Sequence, residues 1–258
     1  MDTPKPNASS LQAKVEETCM NAWPALKEVL YDGWLIRLAN GATRRTNSVN
    51  VIGPGRRPLK EKIAYAEAIY RDNGRPSYFR LLSNAEPELE QILDSRGYRA
   101  EDETSTLYMN FKRKKPPKPD AAVFTDVHER RPTKEWLEAH RVHSRRTPEE
   151  AAALHAILDM IAVPVFFAEA RGDNGDIASV AFCGIHENLA CVQWVVTDPG
   201  QRRMGLSHAA LSSLLNRARL AGAAGACLQV LAANTPAIAL YERLGFTCEL
   251  YRYHYRVR

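Results

Sequence analysis

Two stretches of this 258-residue chain carry residue types whose spacing could do chemistry. The first is "DPGQRRMGLS", residues 198–207, where Arg202 and Arg203 stand just ahead of an apolar periodicity that predicts a helix over about 205–221. A helix N-terminus presents unsatisfied N–H groups and the positive end of the helix dipole, so cations beside it are misplaced by about 0.3–1 kcal/mol unless an anion joins them. Asp198 can supply part of that charge. Gly200 and Gly205 also let the backbone curl so that successive amides point inward, which is how a phosphate is held. Taken alone, the turn reads as an anion site or as an exposed basic loop.

The second stretch is "NTPAIALYERLGF", residues 234–246. Asn234 and Tyr241 lie seven residues apart, almost two helical turns, so one helix face can carry both. Asn234 is a natural N-cap before Thr235 and Pro236. Tyr241 is either a phenolic proton donor or a buried aromatic beside Ile238 and Leu244. Gly245 and Phe246 read as a left-handed helix stop and a core aromatic.

These stretches need a scaffold. The Pro- and Lys-rich segment 112–120 denies itself helix and central strand and repels itself, so it reads as a linker between domains 1–111 and 121–258. The first domain predicts a helix (10–20), strands "GWLIRLA" and "TNSVNVI", a helix (58–72), strand "SYFRLL", a helix (86–96) and a strand through "TSTLYMNF". The second predicts strand "AVFTDV", helices beginning near Pro132 and Thr147, and a meander "VPVFFAEA", "DIASVAFCGI", "LACVQWVVT". Helix 205–221, strand "ACLQVLA", helix "TPAIALYERL" and strand "FTCELYRYHYRV" follow. The fold class is α+β: a mixed, mostly antiparallel twisted sheet flanked by helices.

Arg202-x-x-Gly205-x-Ser207, preceded by "VQWVVTDP" and followed by "NTPAIALYERLGF", resembles the GCN5-related N-acetyltransferase (GNAT) family over about residues 121–258. That resemblance implies acetyl-CoA as cosubstrate. It implies that Val195, Val196 and Thr197 meet the acyl-pantetheine arm through backbone groups. Arg202, Arg203, Met204, Gly205, Leu206 and Ser207 would cradle the pyrophosphate, Ser207 replacing the usual glycine or alanine with a hydroxyl that could add a bond. Asn234 would join the cofactor site, and Tyr241 would protonate the departing CoA thiolate or hydrogen-bond its sulfur. Some family members place a glutamate five residues before the asparagine; this chain has Gln229, and Gln193 on the preceding strand is also an amide. His186, Glu187 and His254 are the ionisable residues left nearby, so the proton leaves through water or through an unidentified base.

"YFRLLSNAEPELEQILDSRGY" in the first domain echoes "CLQVLAANTPAIALYERLGF" in the second, which implies a degenerate tandem copy of the same fold. Aligning Gly97 with Gly245 puts Leu93 at the Tyr241 position, and "GPGRRPLKE" lacks the arginine-glycine pattern, so the copy lacks both acid and cradle. Its expected role is to wall off the acceptor pocket, with "RRTNSV" (44–49) and Trp34 as candidate lining or, equally, as turn and core.

Composition narrows the alternatives. With 45% hydrophobic and 25% charged residues and no long apolar run, the chain reads as soluble and globular. "MDTPKPNASSLQAKVEE" has no secretory pattern, so a cytoplasmic location is expected. Five cysteines without metal-ligand spacing read as reduced core residues, and no metal is expected. A net charge of +5 favours an anionic ligand; the Lys112–Lys115 run has no interleaved aromatics, so no nucleic-acid partner is expected, nor a membrane. The expected function is an acetyl-CoA-dependent N-acetyltransferase acting, as monomer or homodimer, on a small-molecule or amino-acid-like amine. The rival is a CoA-binding regulatory module without turnover.

Overall fold

A computed structural model describes residues 8–40 and 43–258; the start of the chain, on which the absence of a secretory pattern partly rests, lies outside them. The first part of the chain forms α1 (Ala8–Ala22), β1 (Lys27–Tyr31), β2 (Trp34–Leu38), β3 (Val49–Val51), α2 (Leu59–Asp72), β4 (Phe79–Leu82), α3 (Pro87–Ser95) and β5 (Arg99–Asn110). The second forms β6 (Thr125–Glu129), α4 (Lys134–His143), α5 (Pro148–Asp159), β7 (Val165–Arg171), β8 (Ile177–His186) and β9 (Leu189–Thr197). It ends in α6 (Leu206–Leu220), β10 (Gly225–Leu231), α7 (Thr235–Leu244) and β11 (Cys248–Val257). Local chemistry accounts for most boundaries. Thr133 and Thr147 cap α4 and α5, the latter in a reciprocal capping box with Glu150. Gly97 and Gly245, at φ 84° and 115°, stop α3 and α7.

The sequence reading passes over β1. Its signal is "YDGW": Asp32 and Gly33, at φ 45° and 79°, make the two-residue turn that Asp-Gly favours between paired strands. "KEVLY" itself is mostly exposed at a sheet edge, so it shows no clean alternation.

All eleven strands form one sheet, in the order β1-β2-β3-β4-β11-β5-β10-β9-β8-β7-β6. Only β3–β4 and β9–β10 are parallel. Exchanging β3 with β9, β4 with β10 and β5 with β11 leaves the central order unchanged, so the two parts are copies of one topology. Each copy gives its last strand to the other: β11 pairs with β4 and β5, and β5 pairs with β10.

The helices divide between the two faces by strand alternation. Phe79 and Leu81 of β4 pack in the core with α2 and α3, and Ala190 and Val192 of β9 pack in the core with α6 and α7. The intervening Arg80 and Cys191 point the other way, to α1. Helix α1 therefore spans both copies on the face that also carries α4 and α5. No helix among the described residues is long and apolar enough to cross a membrane.

A buried ion pair fastens α1 to the sheet. Glu16 accepts two hydrogen bonds from Arg80, at 2.5 and 2.9 Å, and one from the Tyr251 hydroxyl, while the Arg80 guanidinium lies 3.8 Å from the Tyr253 ring centroid. Burial pushes the Glu16 carboxyl up, but the Arg80 charge and the hydrogen bonds from Arg80 and Tyr251 outweigh it and hold it below the ordinary value. A carboxyl lowered by folding stabilises above its unfolded pKa, and that contribution is lost as pH falls from there through the lowered folded value. Glu16→Ala strands a buried guanidinium and is expected to cost about 3–5 kcal/mol, read as a lower urea midpoint at pH 7. Adding Arg80→Met should restore much of the loss. In both variants the step in stability below about pH 4.5 should shrink relative to the parent.

Candidate functional site

The site begins with a backbone irregularity. Between β8 and β9 the register passes from Phe182 opposite Gln193 to Val180 opposite Val196, so Trp194 and Val195 face the single residue Ala181. Trp194 takes φ 50° at this bulge. Parallel pairing of β9 with β10 runs from Leu189–Gly225 to Val192–Leu228 and stops there. Beyond Val192 and Leu228 no further β9–β10 pair forms, so Val195, Val196 and Thr197 have no partner on β10.

Aromatic packing holds the bulge. Trp194 stacks on His140 at 4.1 Å between ring centroids, His140 stacks on Trp136 at 5.7 Å, and Trp23 meets Trp194 edge-on at 4.7 Å. Burial, with the charges of Arg146, His155 and His143, pushes His140 down to about 3. It is neutral at pH 7 and too weak a base to strip an ammonium.

The glycine-arginine turn follows. Asp198 accepts from the Gly200 N–H at 2.9 Å and the Gln201 amide at 3.0 Å; these bonds shape its turn and, with the Arg202 charge, hold its carboxyl below the ordinary value. Arg203 and Gly205 adopt φ 66° and 82°, and α6 starts with no side-chain cap. Arg202, Arg203, Met204 and Gly205 are exposed while Leu206 is buried, so the turn with both arginines meets solvent just ahead of the uncapped first turn of α6. That arrangement fits an anion such as a pyrophosphate. The Ser207 hydroxyl is bonded to Thr197, which meets Ser179 at 2.9 Å; this chain of hydroxyls stitches α6 to β9 and β8.

On α7, Asn234 caps the helix, its side-chain oxygen accepting from Ala237 N–H at 3.3 Å. Tyr241 is buried with its ring edge-on to Phe246, and burial pushes its phenol up to about 12 against a lowering by the Arg45 charge. Arg45 belongs to the other copy. Its Nη1 donates to Gln193 Oε1 at 2.7 Å, at the residue where the strands part. Gln229 accepts from the Tyr253 hydroxyl at 3.3 Å.

The ionisable residues singled out near the motif lie elsewhere. His186 and Glu187 sit in the β8–β9 turn, where they meet Asn21 and Lys14 of α1, roughly 25 Å along β9 from Thr197. His254 faces α3 and meets Glu90 at 3.3 Å. Sequence reasoning missed Glu16, and it missed the gathering of Cys19, Cys191 and Cys227, whose buried sulfurs all lie within 4.8 Å of one another beneath Gln193. They come from α1, β9 and β10, so no local spacing announces them.

The first copy has its own opening, because β3 and β4 pair only at Val49–Phe79 and Asn50–Arg80. A cavity of about 630 Å³ sits there, lined by residues that include Trp34, Val51, Leu59 and Leu89. Its loop is already satisfied: the Asp32 carboxylate accepts from the Arg56 and Arg57 N–H groups at 2.9–3.0 Å, and buried Lys62 bonds the Asp32 carbonyl at 2.6 Å. Pro58, before α2, offers no N–H. Where the second copy leaves its amides open, the first fills them with its own carboxylate.

A family described as probable histone acetyltransferase Rv0428c, C-terminal, matches residues 10–257. The uncharacterized N-acetyltransferase YobR of Bacillus subtilis (strain 168) is 25% identical over 247 residues, covering 95% of this chain and 98% of that one. The ribosomal protein bS18-alanine N-acetyltransferase of Escherichia coli (strain K12) is 37% identical over 82 residues, 32% of this chain and 55% of its own length. Among solved structures, a GCN5-related N-acetyltransferase from Kribbella flavida superposes with TM-score 0.70 at 18% identity, covering 99% and 96% of the two chains. A tandem GNAT protein from the clavulanic acid biosynthesis pathway gives 0.65 at 14%, covering 81% and 73%. The fold is that of the GNAT acetyltransferases in two copies, and the chain belongs to the Rv0428c C-terminal family.

Because His140 is held neutral, protonation favours the unfolded chain once pH drops below about 6.5, and the loss grows until pH reaches the folded value near 3. Stability is expected to fall by about 2–3 kcal/mol from this group between pH 7 and 4.5. Urea titrations should show a shallower acid slope for His140→Phe; parallel slopes would assign the loss to other groups.

Proposed function

We propose that this N-acetyltransferase family member takes its acyl group from acetyl-CoA and passes it to the amine of a small or amino-acid-like acceptor. One observation carries the reading: β9 stops pairing with β10 after Val192, Val195 beyond that point packs against the buried cluster that holds Tyr241, and the strand leads on to the uncapped α6 N-terminus with Arg202 and Arg203 beside it. The α6 amides and the arginines would hold the pyrophosphate. The edge of Val195, Val196 and Thr197 would hydrogen-bond the pantetheine arm as an added strand does. Asn234, whose oxygen caps α7, has its amide N–H groups left for the cofactor.

Transfer forms an N–C bond from the neutral amine to the thioester carbonyl and breaks the C–S bond. The amine proton leaves and the sulfur gains one. Tyr241 at about 12 stands roughly 3–4 pH units above an ordinary thiol. Full proton transfer from this phenol to a thiolate is uphill, so Tyr241 acts chiefly as a hydrogen-bond donor to the leaving sulfur, which takes its proton from water. With amides at Gln193 and Gln229, the amine proton departs through water.

Those two amides also support a second reading, a CoA-binding regulatory module without turnover. Acetyl-CoA at 100 times its Kd is expected to stabilise the parent by about 2.7 kcal/mol, and Arg202→Glu should lose most of that shift. Equal stabilisation of both proteins would remove the cradle assignment. In an amine panel scored by release of CoA thiol, Tyr241→Phe is expected to lower kcat about 10- to 100-fold with KM for acetyl-CoA little changed. Binding without thiol release from any amine would favour the regulatory module.

A further inference from the structure

We propose that the acceptor carries a carboxylate and that Arg45, supplied by the first copy, receives it. The inference rests on the acetyl-transfer reading of the second copy. The three arginines buried among the described residues each have an acidic partner, Arg37 with Glu28 at 3.1 Å, Arg80 with Glu16 at 2.5 Å and Arg256 with Glu90 at 3.3 Å, whereas half-buried Arg45 has none. Its neighbour Arg44 has both Glu101 and Asp102. Among the described residues no carboxylate lies within ion-pairing distance of Arg45.

Arg45 is nevertheless held in place. Its backbone N–H donates to Thr43 Oγ1 at 3.3 Å, its carbonyl accepts from Arg37 Nη1 at 3.2 Å, and its Nη1 is fixed on Gln193 at 2.7 Å. A guanidinium has five N–H donors in a planar fork, so a single bond to a neutral amide leaves most of them for a ligand. The fork stands where β9 and β10 part, close enough for its charge to act on Tyr241.

A recess of about 20 Å³ opens beside it, lined by Glu16, Met20, Trp23, Arg37, Arg45 and Gln229 among others. Arg80 also lines it; Arg37 has its partner in Glu28, and Glu16, the one carboxylate in the lining, is already bonded to Arg80 and Tyr251. The space suits a water or the end of a carboxylate group, not an apolar side chain. A carboxylate bound there would anchor the acceptor on one copy while its amine meets the thioester held by the other.

The test pairs amino acids with their amides, which differ only in the carboxylate. The parent is expected to favour the acids at least about tenfold in kcat/KM, and Arg45→Gln should raise KM for the acids about tenfold or more while changing the amides less than about twofold. Stabilisation by acetyl-CoA should be the same in both proteins. Equal use of acids and amides by the parent overturns the proposal. So does an equal fall in kcat for both in Arg45→Gln, which would mark a guanidinium acting on the transition state. If acetyl-CoA neither binds nor turns over, the acetyl-transfer reading has failed. Thermal stabilisation by the amino acids over their amides, lost in Arg45→Gln, then still upholds the carboxylate site, and its absence overturns that too.

Discussion

The pairing of backbone edges governs this molecule. A strand whose N–H and C=O groups are left unpaired in the interior costs more than most side-chain contacts return, and an exposed edge invites foreign pairing. Each copy meets this requirement by taking the last strand of the other, so β11 fills the place between β4 and β5, and β5 the place between β11 and β10. The copies are therefore joined through hydrogen-bond ladders and cannot separate without opening both. The two parallel contacts, of two residues at β3–β4 and four at β9–β10, are both short.

Those short pairings are symmetric in topology and different in chemistry. In the second copy a bulge at Trp194 bends β9 away, aromatic rings lock the bend, and the helix beyond starts with open amides. In the first copy, Asp32 occupies the loop amides and Lys62 is buried against it. One carboxylate placed in a hairpin turn thus separates an anion-receptive loop from a self-satisfied one. The first copy meets the second at α1, where Glu16 bonds Tyr251, and at Arg45, which bonds Gln193.

Much of the secondary structure was legible in sequence, because helix periodicity, capping residues and glycine stops act over a few neighbouring residues. The two α7 landmarks show it: Asn234 caps the helix and Gly245 ends it, as their types suggest. Strand β1 escaped because an exposed edge strand has no apolar alternation to read. Asp198 reads in sequence as a counter-charge; the Arg202 charge does act on it, and the fold adds the bonds to the amides that follow, which make it a turn residue as well. His186 and Glu187 lie at the far end of β9 from the turn, since a strand carries residues apart at about 3.3 Å each, and His254 is turned to Glu90 of α3.

The sequence alone determined the arginine-glycine turn, the Asn234–Tyr241 spacing and the duplicated strand-helix-glycine pattern, and with them the family and the fold class. Each is written in residues close together along the chain. Tertiary structure decided which copy closes which, that Arg45 crosses to Gln193, that Glu16 is buried on Arg80, and that three cysteines without local spacing meet under the site. The reason is physical. A local pattern is enforced by neighbours a turn or a strand step away, whereas a strand edge accepts any partner of suitable register. Only the folded chain shows that the partner came from 115 or more residues away.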